Sequence, residues 1–311
     1  MGTGTLDLPV KSETAHARMR RWYSWENVAP YVFISPFFIL FGIFGVFPIL
    51  FALWISFRNW KGIRGGEFIG FENFTRLLTD SFFHTALKNT MILGLLYTTL
   101  MILLSLGFAA LLNRPMRGRA LYRTAYFLPV VTSMVVVAIL FKFFMGSTYS
   151  PLTPVLGMFG IEFRGLLGMA WAIKPILLVM MLWRWVGFNM MIMLAGLQSI
   201  PAELYDAARI DGAGDVQAFR YITVPLMRRV IAFVAIVSTI GMFEMFEMPY
   251  LLLRSGGGVD RAGLLTAPFI FQQAFELFKF GYASAIAYVI ALIIIGLSLL
   301  QMFASERTAS E

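Results

Sequence analysis

The sequence predicts an all-α polytopic membrane protein with six transmembrane helices and a short helical excursion between the fourth and fifth. Three observations carry this. Hydrophobic residues make up 59% of the 311-residue chain and charged residues 14%, against roughly a quarter charged in soluble domains. The apolar residues are grouped, because residues 27–57, 89–113 and 280–305 contain no Asp, Glu, Lys or Arg. Each run exceeds the roughly 20 residues a helix needs to cross a hydrocarbon core of about 30 Å. Finally, the basic residues cluster in alternate connections between apolar segments, which is how membrane topology is written in sequence.

The first span is expected over Ala29–Phe57, with kinks at Pro36 and Pro48. It is far longer than the ~7–15-residue apolar region of a signal peptide, so it reads as a permanent helix. The second is expected near Thr90–Leu112 and the third near Leu121–Phe144. The fourth, Trp171–Gln198, contains Arg184; the fifth, Val230–Leu253, contains Glu244 and Glu247. The sixth runs near Ala283–Phe303. Helices that carry ionisable groups belong in the interior of a bundle, away from lipid tails. Lys142 reads as an interfacial anchor at the outer end of the third helix, and the many Met and Phe residues as packing.

Orientation follows from the short basic segments. Lys11, Arg18, Arg20 and Arg21 precede the first span, and Arg114, Arg117, Arg119 and Arg123 follow the second without an intervening acid. Both segments belong in the cytoplasm. Residues 1–28 then form a cytoplasmic tail, with an interfacial helix around Ala17–Trp25. Residues 29–305 form the transmembrane domain, and 306–311 a C-terminal tail on the cytoplasmic side. Arg58–Lys88, Gly146–Gly168 and Arg254–Lys279 lie outside, and the loop 199–228 lies inside.

Several functions are excluded early. The chain has no cysteine and two histidines, His16 and His84, so Cys-based and His-rich metal sites are ruled out. The net charge of +8 falls between apolar segments and reads as topology, not as a nucleic-acid surface. There is no Gly-x-x-x-x-Gly-Lys-Ser/Thr loop, so the chain has no P-loop for ATP, and no catalytic residues are assigned.

The inner loop carries the most specific pattern. Pro201 suits a first helical turn and Glu203 the positive end of the helix dipole. Leu204, Ala207 and Ala208 share a face by the three/four spacing, and the two alanines keep that face flat. Gly212 supplies a chain reversal that a Cβ would resist. A second amphipathic turn with Phe219 and Ile222 follows, and Pro225 is expected to end it. Helix pattern alone also fits a connector lying on the bilayer surface.

The sequence of this loop closely resembles the motif of binding-protein-dependent ABC importer permeases: Glu-Ala-Ala, then Gly, then a hydrophobic residue before Leu-Pro. The matching residues are Asp206, Ala207, Ala208, Gly212, Ile222 and Pro225, with Asp206 for the usual Glu and Val224 for the usual Leu. Phe47–Pro48, Ser56–Phe57, Gly70–Phe71–Glu72–Asn73–Phe74, Asn89–Thr90, Arg123 and Leu128–Pro129 extend the resemblance. So do Gly256–Gly257–Gly258, Thr266, Phe275 and Gly281–Tyr282–Ala283–Ser284–Ala285. Together they look like the carbohydrate branch, maltose and oligosaccharide importers with glycerol-phosphate carriers among them. Gly258 stands where that branch has Pro, a change expected to loosen the outer loop.

The resemblance implies the type I ABC importer permease fold, and it makes the 199–228 loop a coupling helix that docks on a separate ATPase. Glu203, Asp206, Ala207, Ala208, Asp211, Gly212, Phe219 and Pro225 are then the ATPase-coupling residues. It further implies a second homologous permease, two ATP-binding subunits that use ATP and Mg, and an extracytoplasmic solute-binding protein. No cofactor is expected on this chain, and lipid surrounds it.

The substrate path is expected at polar positions within apolar helices: Asn189, Glu244, Glu247 and Arg184. Glu244 and Glu247 are three apart and are expected to share a helix face. Trp183, Trp185, Phe243 and Phe246 are available to stack on sugar faces. These polar groups fit structural roles as well. The principal alternative is an ion-coupled secondary transporter that titrates Glu244 or Glu247, although no paired halves are visible. A membrane enzyme built on Asp206, Asp211 and Asp215 lacks suitable ligand spacing.

Overall fold

The computed structural model describes residues 25–62, 65–146, 150–160 and 165–307. Apart from Trp25, the interfacial helix expected over 17–25 lies outside the described residues. The fold is almost wholly helical, and the chain divides into two units between Trp54 and Ile55.

The first unit contains α1 (Trp25–Phe41), a π turn at Gly42–Val46 and most of α2 (Phe47–Ser56). Val28–Ser56 is a predominantly apolar stretch of 29 residues, long enough to cross a bilayer. α1 runs through Pro30 and Pro36, and the irregularity falls immediately before Pro48 instead. A widened turn is a common accommodation for a residue that offers no N–H and crowds the preceding turn.

The second unit is the helical bundle. α3 (Glu72–Leu77) leads into the long α4 (Ser81–Asn113), whose N-terminus is capped by Asp80 accepting from Phe82 N at 2.8 Å. α5 (Arg119–Val131) and α6 (Met134–Met145) follow. The third span was expected as one helix, but the chain bends by 93° between α5 and α6. Pro129 sits inside α5, and Thr132 and Ser133 are extended, so the helix ends and restarts. Among the described residues five helices are long and apolar enough to span, and the bent pair makes six if counted as one span.

After α7 (Leu152–Gly157), α8 (Ala170–Gln198) forms the centre of the bundle. Of its most apolar stretch 61% is buried, against 22% for the last helix, so α8 is the innermost span. Ile173, Leu177, Met180, Met181, Met190 and Met193 are fully buried along it. Lipid tails are as apolar as these side chains, so helices associate in a bilayer mainly through close packing. Gly187 supplies it: a Cβ there would run into the carbonyl of Tyr126 in α5.

The loop helix α9 (Ala202–Ile210) comes next, then α10 (Asp215–Ala218), a π turn at Phe219–Thr223, and α11 (Val224–Phe243). Pro225 therefore does not end the second amphipathic turn. The preceding turn widens, and helix continues from Asp215 into the membrane. The fifth span is interrupted at Glu244–Phe246 before α12 (Glu247–Leu253). α13 (Thr266–Phe271), a π turn at Gln272–Glu276 and α14 (Phe280–Arg307) complete the bundle.

Polar contacts fix the two ends of this bundle. At one end Arg114 pairs with Asp215 at 3.1 Å. With its amide oxygen turned toward α5, Gln198 accepts from Arg119 at 2.9 Å and Arg123 at 3.2 Å. At the other end Asn73 donates to the carbonyls of Ser56 (2.8 Å) and Arg58 (3.0 Å). Asn89 there donates to the carbonyls of Arg261 (3.0 Å) and Leu264 (3.1 Å), and Thr90 Oγ1 accepts from Thr266 N at 3.0 Å.

The glycine loop at that end is tight, contrary to the expected loosening. Gly257 and Gly258 have φ of 74° and 76°, values closed to proline, whose ring holds φ near −65°. A Cβ on Gly257 would collide with the Leu264 backbone, and one on Gly258 would stand 2.9 Å from Ile173 Cδ1. Glycine at 258 lets the loop lie directly on α8.

Candidate functional site

The structure presents two candidate regions: the loop beyond α8 and a cavity inside the bundle. In the loop, Ile200 packs against the main core and Pro201 precedes α9. Glu203 stands in the first turn and Arg209 in the last, each favourable to the helix dipole. Arg209 also pairs with Asp206 at 3.1 Å, on the surface. The helix ends in a Schellman motif: Ala213 N donates to Ala208 O at 2.8 Å, and Gly212 N donates to Arg209 O at 3.1 Å. Gly212 takes φ of 81°, the left-handed conformation that its place in the sequence predicts.

α9 has no buried residue. Ile210 is 87% exposed, Val216 80% and Tyr221 71%, with Leu204 and Phe219 also exposed. Five exposed apolar side chains on one short excursion are suited to an interaction site. Two contacts carry the loop's position into the bundle. Tyr205 Oη and Thr223 Oγ1 lie 2.9 Å apart, joining α9 to the π turn, and Asp215 holds Arg114 at the end of α4. Glu203, Asp206, Ala207, Ala208, Asp211, Gly212, Phe219 and Pro225 thus lie along one excursion, Asp206 and Ala207 on its open surface.

The cavity lies between α4, α8 and α11. It has a volume of about 140 Å³ and is lined by Tyr97, Trp185, Phe188, Asn189, Ser238 and Met245, among others. Asn189 is 5% exposed and donates to the Trp185 carbonyl one turn earlier, at 3.1 Å. Ser238 is 4% exposed, and its Oγ has no hydrogen-bond partner among the described residues. An unsatisfied buried hydroxyl beside a cavity is ready for a polar guest. Tyr97 and Ser238 were not singled out from sequence. Their signal was available: hydroxyls on helices otherwise made of apolar residues.

The other expected path residues stand apart from this cavity. Glu244 is the C-cap of α11 and Glu247 begins α12, so the two carboxylates flank a break and do not share a helix face. Both are exposed. Arg184 is 6% exposed, donates to the Pro129 carbonyl and lies over the Trp185 ring at 5.5 Å. Of the four aromatic residues considered, Trp185 alone lines the cavity. Phe243 is core and Phe246 stacks on Tyr250 at 5.0 Å.

A bundle of apolar spans with one exposed helix between two of them fits the membrane component of a transport system. The chain belongs to the family described as binding-protein-dependent transport system inner membrane component, whose model matches residues 102–308. It is 34% identical over 307 residues to the arabinooligosaccharides transport system permease protein AraP of Halalkalibacterium halodurans, covering 97% of this chain and 96% of that one. It is also 34% identical over 298 residues to the lactose transport system permease protein LacF of Rhizobium radiobacter, covering 94% and 98%. Among solved structures it superposes with TM-score 0.82 on a chain of a bacterial ABC transporter involved in the import of the acidic polysaccharide alginate. That likeness covers 93% of this chain and 99% of the other at 24% identity, and it shows the fold.

Proposed function

We propose that this permease carries a carbohydrate into the cell, as half of a two-permease pathway powered by a separate pair of ATP-binding subunits that use ATP and Mg. The arabinooligosaccharide and lactose systems of its relatives support the cargo class. The family's dependence on a binding protein supports an extracytoplasmic partner that delivers the sugar. The arginines of residues 11–21 and 114–123 favour both termini and α9 on the cytoplasmic side.

The observation that carries the reading is α9: a short helix with no buried residue, closed by a left-handed glycine and tied through Tyr205 to the π turn that leads into α11. In the proposal the ATPase docks here through Glu203, Asp206, Ala207, Ala208, Asp211, Gly212, Phe219 and Pro225. ATP-driven closure moves α9 and biases the bundle between inward and outward states, which requires that the ATPase bind the two states differently. Asn189, with Tyr97 and Ser238, would meet sugar hydroxyls on the way; Glu244 and Glu247 would do so at the mouth of the path, and Arg184 would act beside it.

Uptake of labelled oligosaccharide into proteoliposomes tests the reading. It should require ATP inside, the binding protein outside, and no ion gradient. Uptake that survives without ATP but stops when the gradient collapses would replace it with ion-coupled transport.

A further inference from the structure

At the α9 end of the bundle, two arginines of α5 converge on one neutral oxygen. Gln198, the last residue of α8, accepts from Arg119 at 2.9 Å and from Arg123 at 3.2 Å. Both arginines are half-buried, and the Nε of each is enclosed without a hydrogen-bond partner among the described residues. A guanidinium offers five N–H donors, so a single amide oxygen leaves most of this donor set unused.

Charge is as unbalanced as hydrogen bonding. Residues 114–123 contain four arginines and no acid, and the first turn of α5 has no acidic residue. Asp215, which reaches this connection from α10, is taken by Arg114 at 3.1 Å. Neither Arg119 nor Arg123 forms an ion pair among the described residues. Two cations drawn to one uncharged acceptor repel each other, and salt screens a partly buried pair poorly. An anion placed between them would turn that repulsion into attraction, and guanidinium forks suit phosphate oxygens well.

The surroundings distinguish one anion from another. Arg119 opens α5 and Arg123 stands one turn inside it, in a segment that together with α6 is apolar enough to make a bent span. The cations therefore lie where a helix enters the membrane. Tyr122 and Phe127 follow Arg119 and Arg123 at three- and four-residue spacing, so each ring lies beside its arginine on the helix surface, one turn deeper. The two rings are 48% and 37% exposed. Inorganic phosphate, or a carboxylate of a partner protein, matches the cations and leaves the rings unmatched. A phospholipid matches both. We propose that Arg119 and Arg123, positioned by Gln198, hold the headgroup phosphate of an anionic phospholipid whose acyl chain runs along Tyr122 and Phe127. Basic groups between spanning helices are a recurrent way of selecting such lipids. The inference rests on the importer reading only in assigning the site to the cytoplasmic leaflet.

The test uses the full-length permease purified with its partner subunits in detergent, stripped of lipid, and titrated with palmitoyl-oleoyl phosphatidylglycerol or phosphatidylcholine. Native mass spectrometry counts bound lipid, and the thermal midpoint reads stability. Phosphatidylglycerol should bind the wild type about tenfold more tightly than phosphatidylcholine, as two cations beside an anionic headgroup should give, and should raise the midpoint more. Arg119→Gln combined with Arg123→Gln should erase that preference, and Arg123→Lys should keep most of it. Gln198→Glu supplies the anion from within the chain and removes neither cation, so it remains informative if the double variant does not fold. It should raise the midpoint of the lipid-free complex and abolish the preference for phosphatidylglycerol. An equal preference in the wild type and Gln198→Glu overturns the proposal. So does protection by millimolar inorganic phosphate that equals protection by the lipid. Loss of the ATPase subunits from Arg119→Gln, with phosphatidylglycerol binding unchanged, overturns it too and gives the arginines to the ATPase. None of these readouts needs transport, so the inference and the importer reading fail separately.

Discussion

The guanidinium of Arg184 in α8 donates to the carbonyl of Pro129 in α5, 55 positions earlier in the chain. That carbonyl lies in the last turn of a helix, where it also accepts from Thr132 N at 3.3 Å. A buried cation thereby stabilises the broken end of the third span.

This contact gives Arg184 a structural role, distinguishable from contact with substrate. Arg184→Met keeps most of the volume and removes the charge-assisted hydrogen bond, worth about 1.5–3 kcal/mol. The expected result is a lower thermal midpoint for the detergent-purified complex, with the transport KM for sugar changed less than about threefold. A large rise in KM with no loss of stability would instead place Arg184 on the path.

Gly187 should tolerate nothing larger. Its missing Cβ leaves room for the Tyr126 carbonyl, which is backbone and has little freedom to move. Gly187→Ala is expected to cost about 1–3 kcal/mol or more, seen as reduced membrane abundance and a lower midpoint. Gly107, which has open space around it, provides the control: Gly107→Ala should fold normally.

Gly212 differs, since nothing lies within 4 Å of an added Cβ and only its φ of 81° matters. Placing Val there costs roughly 1–2 kcal/mol of backbone strain, which unravels the end of α9 without disturbing the bundle. Expected is intact assembly of the permease pair, with weaker ATPase association and about a tenfold loss of sugar-stimulated hydrolysis, measured in proteoliposomes. Undiminished stimulation would remove the coupling role from this loop.

Ser238 and Asn189 test the cavity. Ser238→Val fills space and removes the unpaired hydroxyl, and Asn189→Leu removes the amide. If sugar passes here, both should slow uptake severalfold while the binding-protein concentration for half-maximal ATPase stimulation holds. Normal uptake in both variants would move the path elsewhere.

At the opposite end Tyr282→Phe deletes the donor to Asp80. A hydrogen bond to a carboxylate contributes about 1.5–3 kcal/mol, so the midpoint should fall measurably. Asp80→Ala should fall further, because it removes the α4 cap as well as the acceptor for Tyr282.

Much of this was legible in the sequence, for identifiable reasons. Charge-free runs longer than a bilayer is thick have one reading, and Gly212 after an Ala-rich helix has one obvious use. What escaped depends on partners distant in the chain. Three-residue spacing places Glu244 and Glu247 together only if the helix continues between them, and it does not. Pro129 announces an interruption, but its angle depends on Gly187 and Arg184 in another helix. Gly258 read as slack because its neighbour Ile173 is invisible along the chain. Tyr97 and Ser238 became candidates only when α4 and α11 brought them to the same side of Asn189.

The π turn at Phe219–Thr223 has a geometric consequence. Val224 N reaches back to Phe219 O, five residues instead of four. In a regular helix each residue advances the side chains by about 100° around the axis. The extra residue therefore sets the phase between Val216 on the surface of α10 and Ser238 in the wall of the cavity. Removing one residue from this turn would leave both helices intact yet point them in a different mutual direction, like a crankshaft with one journal misaligned.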